Sequence, residues 1–190
     1  MTAGEVQVRG IAFANLLEAT RDLCGPEVAE ALRGALGGAA GADVRADTLR
    51  TMGWYPVADL REAYVFLCAH VGDPELPRSI GRYGLSRHLP AYWRMFLRAL
   101  SPGFILRRAG TVLRRYFLGA EVEVLEHWKG RARMRVWGLR GFDANLWADF
   151  HGAVIGALEA GGAQDVEIEA RDGGQGDAHH AELAVRWREE

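Results

Sequence analysis

Lysine is almost missing from this chain. Of 23 basic residues, Lys129 is the one lysine and the other 22 are arginines. That bias marks a GC-rich bacterial coding sequence as much as a chemical need, so no single arginine counts as a sign of anion recognition. Cysteine is scarce too: Cys24 and Cys68 each sit in an apolar, helix-like segment. In a reducing cytosol they read as buried inert thiols rather than a disulfide. No apolar run reaches the roughly 18–20 residues that cross a bilayer. Met1–Arg9 lacks the basic region and apolar core of a signal peptide, so the expected location is the cytoplasm.

Catalytic patterns are also missing. Ser79, Ser86, Ser101 and Cys68 lack the flanks of an activated nucleophile, and Ser101 before Pro102 reads as a helix cap. His70, His88, His127, His151, His179 and His180 show neither His-x-x-x-His nor Cys-x-x-Cys spacing. No catalytic residue, metal ligand or cofactor is assigned from the residues, and an enzyme is the disfavoured class.

What is present suits one domain over 1–190. Hydrophobic residues make up 49% and charged residues 25% of the chain, enough for a sizeable core and too apolar for disorder. Helical spacing dominates 1–118. A short strand at Val6–Arg9 precedes a helix through Phe13, Leu16, Leu17, Thr20 and Leu23, ended by Gly25-Pro26. A second helix covers Glu27–Leu36, Gly37–Gly41 reads as a flexible linker, and a further segment begins near Asp47 and breaks at Gly53. Leu60, Tyr64, Leu67, Cys68 and Val71 line one face of a helix stopped by Gly72. Arg78–Ser86 is a short helix in which Gly81 and Gly84 allow close packing. Further helices run from Pro90 to about Leu100 and from Gly103 to Leu118.

The period then changes to two. Glu121–His127 and Arg131–Val136 alternate about Lys129-Gly130, and Val166–Ala170 and Ala181–Trp187 alternate about a glycine-rich tip, with a helix over Asp143–Ala160 between the hairpins. Glu121 and Glu123 are placed to face Arg131, Arg133 and Arg135 in a cross-strand charge ladder. The expected fold class is α+β: an N-terminal helical layer (1–118), then hairpin, helix and hairpin (119–190) forming a four-stranded antiparallel sheet.

Charge is unevenly distributed. Leu76–Ala120 holds nine arginines and no acidic residue, in a chain of net charge −2. Arg94 and Arg98 lie opposite an apolar face, and Arg107, Arg108, Arg114 and Arg115 lie opposite a stripe of Ile105, Ala109, Val112 and Tyr116. These four form one candidate patch. It can be a solvated face, a dock for an acidic protein partner or dimer mate, or a weak anchor to an anionic membrane. Nucleic acid is disfavoured, because the overall charge is negative and no binding motif is present. Aromatic residues gather on the same helices. Tyr64, Tyr92, Phe96, Phe104 and Tyr116 are either core or the lining of an apolar pocket.

The order of pieces resembles a paralogous family of myxobacterial proteins. It is carried by Gly10-Ile11-Ala12-Phe13, Tyr55-Pro56, Gly81–Leu85, Tyr116-Phe117-Leu118-Gly119-Ala120 before Glu121-Val122-Glu123-Val124, Gly152–Gly162 and Glu182–Trp187. The layout is also similar to the superfamily of haem-nitric-oxide-binding domains, 4-vinyl-reductase-like domains and small TRAPP-complex subunits. That resemblance implies a pocket between helices and sheet for a small apolar ligand, and a homodimer. It makes a non-catalytic ligand-sensing or protein-interaction domain the first expectation. An adaptor for an acidic protein and a haem-binding gas sensor are the alternatives. The haem branch carries Tyr-x-Ser-x-Arg for the haem propionates, and Tyr116–Ala120 lacks both its serine and its arginine. Were haem bound, His88 or His70 would be the first candidates for its ligand.

Overall fold

A computed structural model describes residues 6–87 and 102–189. Three short strands, β1 (Gln7–Arg9), β2 (Trp54–Pro56) and β3 (Phe117–Leu118), form an antiparallel sheet of order β2-β1-β3. The helices are α1 (Ile11–Cys24), α2 (Pro26–Ala35), α3 (Gly38–Arg45), α4 (Val57–Val71), α5 (Leu76–Arg87), α6 (Pro102–Tyr116) and α7 (Ala144–Ala160). The hairpins β4 (Glu121–Trp128)/β5 (Arg131–Trp137) and β6 (Gln164–Gly173)/β7 (His180–Arg188) join in a four-stranded antiparallel sheet of order β4-β5-β7-β6. The fold is the expected α+β arrangement. The small sheet was not expected, because strands of two or three residues leave no period to read. It ties the start of the chain to the start of α4 and the end of α6, with Val8 opposite both Tyr55 and Phe117.

Two local expectations are corrected. Gly37–Gly41 is not a linker, since α3 starts there. Asp59, itself buried on α4, accepts a hydrogen bond from the Ala40 amide at 3.0 Å, satisfying a donor at the α3 N-terminus. Gly38, at φ +59, lies so close that a Cβ there would meet the Asp59 carboxyl at 2.1 Å. The segment near Asp47 is a turn rather than a helix. The Tyr55 hydroxyl organises it, accepting from the Arg50 amide (3.1 Å) and donating to Asp43 (2.7 Å).

The apolar stripe on α6 is displaced by one residue. Leu106 and Leu113 are buried, while Val112 is 43% exposed. The reason is the seat of the helix on the sheet: a Cβ on Gly103 would strike the His127 ring at 2.1 Å, and Gly110 faces the Val122 carbonyl. Positions 103, 106, 110, 113 and 117 therefore face inward. The helix ends at Tyr116, and Phe117–Leu118 join the small sheet instead of continuing to Gly119. The helix expected over Pro90–Leu100 lies outside the described residues.

Within the helical layer α5 and α7 approach each other tightly. A Cβ on Gly81 would lie 2.0 Å from the Asp149 carbonyl, one on Gly152 2.0 Å from the Arg78 carbonyl, and one on Gly156 2.4 Å from the Arg82 carbonyl. The two backbones therefore touch along two turns. Arg82 fastens the far end with two hydrogen bonds of 2.7 Å to Glu159. Gly84, expected to do the same, meets nothing.

The outer face of the larger sheet is a charge ladder. Glu126 and Glu182 flank Arg133 at 3.0 and 2.6 Å, and Arg135 shares Glu182 at 3.4 Å. A bulge at Leu125 shifts the register of β4. Glu123 stands opposite Arg135, but Glu121 stands opposite Trp137 and pairs with Arg114 of α6 at 2.8 Å.

Candidate functional site

The helical layer buries few polar groups, and one of them is a carboxyl shared between helices. α7 has two charged side chains along its 17 residues, Asp149 and Glu159. The Tyr64 hydroxyl of α4 donates to Asp149 Oδ1 at 2.6 Å. Tyr116, at the end of α6, lies within the field of the same carboxyl. α4 and α7 thus join a phenol and a carboxyl directly, with a second phenol in range of the carboxyl's charge. Tyr64 is 2% exposed, whereas Asp149, Tyr116 and Asn15 keep part of their surface. Asp149 Oδ2 has no hydrogen-bond partner among the described residues.

Burial sets the electrostatics here. It pushes the Asp149 carboxyl from 3.8 up to about 7, against the lowering effect of the Tyr64 hydrogen bond. Tyr64 is driven well above the ordinary phenol value, first by burial and then by Asp149. Tyr116 is raised mainly by burial, with Asn15 and Arg115 acting against it. No cation acts directly on Asp149, so its charged form has no counter-ion within the described structure.

Two residues further along α7, His151 is buried, and its Nε2 has no partner among the described residues. Its ring lies 6.2 Å from Trp147 and 6.4 Å from Phe150. Burial first, and then Arg78, lower it to about 4, which keeps the imidazole neutral.

Of the aromatic residues expected to line a pocket, Tyr64 and Tyr116 share Asp149 as a neighbour. Phe104 lies twelve residues before Tyr116 on the same helix, roughly 18 Å away at 1.5 Å per residue, beneath Arg107 and Arg108. Tyr92 and Phe96 fall outside the described residues. Asp149 and Asn15 were missed. The available signal was a lone carboxylate three residues after Leu146 and next to Phe150 in a helix otherwise apolar over that stretch.

Two clefts lie away from Asp149. One of about 370 Å³ is lined by Arg78, Ile155, Val166 and Ile168, among others. Another of about 400 Å³, at the ends of α1 and α4, is lined by Leu23, Cys24, Val28, His70 and Val71, among others. Cys24 and Cys68 are free and half-buried, and burial raises both thiols, which makes them poor nucleophiles. A run of edge-to-face rings, Phe117–Phe142–Trp147–Phe150, with centroids 5.2, 5.2 and 5.7 Å apart, fills the space where β3 and the β5–α7 loop meet α7. Arg107, Arg108, Arg114 and Arg115 are all exposed on α6, and Arg114 is paired with Glu121. Among the described residues no group of His, Cys, Asp and Glu could hold a metal ion, and no helix is long and apolar enough to cross a membrane.

No protein-family model and no curated protein matches the chain, but solved structures do. The ferrous, unliganded H-NOX protein from K. algicida superposes with TM-score 0.70 at 14% identity, over 96% of this chain and 97% of that one. An oxygen-binding H-NOX domain related to soluble guanylate cyclases, in its oxygen complex, gives 0.69 at 14% identity over 95% of each chain. A point mutant of T. tengcongensis H-NOX gives 0.69 at 14% identity, over 95% of this chain and 97% of that one. The chain has the H-NOX fold.

That fold implies haem, and the described residues do not fit it. Haem iron needs an axial donor facing open space. α6 carries no His, Cys or Met. His70 is exposed and stacked on Phe66, and His127 is exposed against Trp187. His151 is buried, but its ring lies among Trp147 and Phe150, and the next residue, Gly152, is pressed against the α5 backbone. His88 lies outside the described residues. None of the five tyrosines begins a Tyr-x-Ser-x-Arg sequence. The buried Asp149 carboxyl adds negative charge to an interior that would have to accept a dianionic porphyrin.

Proposed function

We propose that this chain is a non-catalytic sensor domain that holds a small ligand within the helical half of an H-NOX fold, against Asp149, Tyr64, Tyr116 and Asn15. The observation that carries this reading is the Tyr64 hydroxyl bonded at 2.6 Å to the partly buried Asp149 carboxyl inside the helical half, with Tyr116 within that carboxyl's field. Small-molecule sites are built this way, mostly apolar with a few placed polar groups. Native mass spectrometry of the freshly purified chain tests the reading. A retained small molecule is expected, and bare protein that gains no mass from a cell extract would contradict it. The same spectrum reads the homodimer that belongs to this proposal.

A second reading, haem-based gas sensing, is favoured by the fold, because the structural neighbours include ferrous and oxygen-bound H-NOX proteins. A Soret band in protein made under haem supplementation would establish it. An adaptor role rests on the exposed Arg107, Arg108 and Arg115 beside the exposed Val112. Reversing Arg107, Arg108, Arg114 and Arg115 to glutamate would abolish capture of an acidic partner while leaving ligand retention intact.

A further inference from the structure

The exposed side of α6 continues into a wider surface. Along it Arg108, Val112 and Arg115 follow at helical spacing, and all three are exposed. Phe104, one turn earlier, lies beneath Arg107 and Arg108, whose guanidinium carbons stand 6.0 and 5.4 Å from its ring centroid. Just past the helix, Leu118 is 52% exposed. It ends a row across the small sheet that also holds Gln7 and Pro56, both exposed. The backbones of Gly119 and Gly138 touch, since a Cβ on Gly138 would lie 2.3 Å from the Gly119 carbonyl. That contact brings Leu118 close to Trp137, which is 40% exposed. Val112, Leu118 and Trp137 thus leave apolar surface open along one strip, with arginines between and beside them. Single exposed apolar residues are ordinary, but a run of them rimmed by charge marks an interaction site.

Charge selects the partner. Leu76–Ala120, which contains all of α6, has nine arginines and no acidic residue, in a chain of net charge −2. The strip is therefore the basic end of an otherwise acidic molecule, a distribution that orients the chain on a negative plane. Its side chains also match the layers of a bilayer surface. Guanidinium groups donate to lipid phosphates, indole settles at headgroup level, and valine and leucine reach the acyl boundary. An acidic helix or strand would need a groove, and none of these residues lines either of the two clefts described above. Arg114 is paired with Glu121 at 2.8 Å, which leaves Arg108 and Arg115 as the main contacts. We propose that the strip from α6 to Trp137 docks the chain peripherally on an anionic lipid bilayer, with Arg108 and Arg115 on the headgroups and Val112, Leu118 and Trp137 in the interface. The docking surface uses no residue of the ligand node.

Flotation of the full chain with vesicles tests the proposal. Phosphatidylcholine vesicles are compared with vesicles that also hold about 30 mol% phosphatidylserine, which gives a negative surface potential. Binding to the anionic vesicles alone is expected. It should fade as salt rises from about 0.1 to about 1 M, where the screening length falls from about 10 to about 3 Å. Arg108→Glu with Arg115→Glu should weaken it at least about thirtyfold. Arg131→Glu with Arg186→Glu makes the same change of net charge at exposed sites elsewhere, Arg131 lying six residues before Trp137 on β5, roughly 20 Å away. That pair should leave binding within about twofold. Leu118→Asn, which keeps every charge, should weaken binding severalfold without altering its salt dependence. Trp137→Phe should remove the blue shift of tryptophan emission that the vesicles produce. Binding to neither vesicle, equal binding to both, equal loss in the two double reversals, or a blue shift that survives Trp137→Phe would overturn the proposal. Binding of poly-glutamate but of neither vesicle, lost in the Arg108/Arg115 variant, would also overturn it and make the strip a dock for an acidic protein.

Discussion

Asp149→Asn offers a quantitative test of the interior node that needs no ligand. In the unfolded chain the Asp149 carboxyl titrates near its ordinary 3.8, and in the folded chain burial holds it up at about 7. Between those values the folded protein binds a proton that the unfolded chain does not. Stability therefore falls as pH rises from about 4 to about 7, and above that the full cost of the buried charge is in place. At 1.36 kcal/mol per unit, the difference sets an upper bound of about 4 kcal/mol. Asp149 keeps some accessible surface, so about 1–3 kcal/mol is the expected effect. Asparagine keeps the acceptor for Tyr64 and removes the charge. The variant should be about 1–3 kcal/mol more stable than the parent at pH 8 and no more stable at pH 4. Urea denaturation at pH 4, 6 and 8, read by circular dichroism, gives the difference directly. A variant that is less stable than the parent at pH 8, or a parent–variant difference that does not change with pH, would refute the reasoning.

Other consequences follow from neighbouring features. His151 has the opposite sign. Its folded value of about 4 lies below its ordinary 6.5, so it favours the fold above pH 6.5 and loses that contribution as pH falls towards 4. His151→Gln should therefore remove the loss of stability on acidification from pH 6.5 to 4 and leave the opposing Asp149 slope between pH 4 and 7. Gly81→Ala and Gly152→Ala push a methyl group to within 2.0 Å of a backbone carbonyl. Each should cost about 1–3 kcal/mol or more in denaturation midpoint, whereas Gly84→Ala, with open space around it, should be neutral or slightly stabilising. Glu182→Ala removes a carboxylate shared by Arg133 and Arg135 on an exposed sheet face. About 1 kcal/mol or less should be lost, and the loss should shrink in 1 M salt.

How much of this was legible in the sequence depends on whether local chemistry or distant packing set each element. The hairpins were legible because alternation about Lys129-Gly130 and about the glycine-rich tip is a local signal, and the charge ladder followed from it. Its register was not, because the bulge at Leu125 sets Glu123 opposite Arg135, while Glu121 lies beyond the β5 arginines, opposite Trp137, and pairs with Arg114. Gly37–Gly41 looked like a linker because glycine is a poor helix former. Asp59, about twenty residues later, supplies the hydrogen bond that makes a helix of it. On α6 the spacing gave the helix, but the contact of Gly103 with His127 chose which face turned inward.

The candidate site divides in the same way. Tyr64 and Tyr116 were selectable as aromatic residues on helices, and Tyr64 hydrogen-bonds Asp149. Asp149 had no motif to mark it, since a single acid in a helix reads as solvated surface until the neighbouring helices are in place. Gly81 was expected to permit close packing, but its partner, the Asp149 backbone, could not be read from the sequence. The α5–α7 contact that fixes Asp149 is thus tertiary information carried by glycines about seventy residues apart along the chain.

The central claim of the proposed function is that this chain, which has the H-NOX fold, holds a small ligand other than haem in its helical half. Native mass spectrometry of the full chain, after incubation with both haem and a total small-molecule extract, tests that most directly. The account predicts a bound small molecule that disappears in Asp149→Asn, with no haem-mass adduct on either protein. A stoichiometric haem adduct on the parent chain would contradict it.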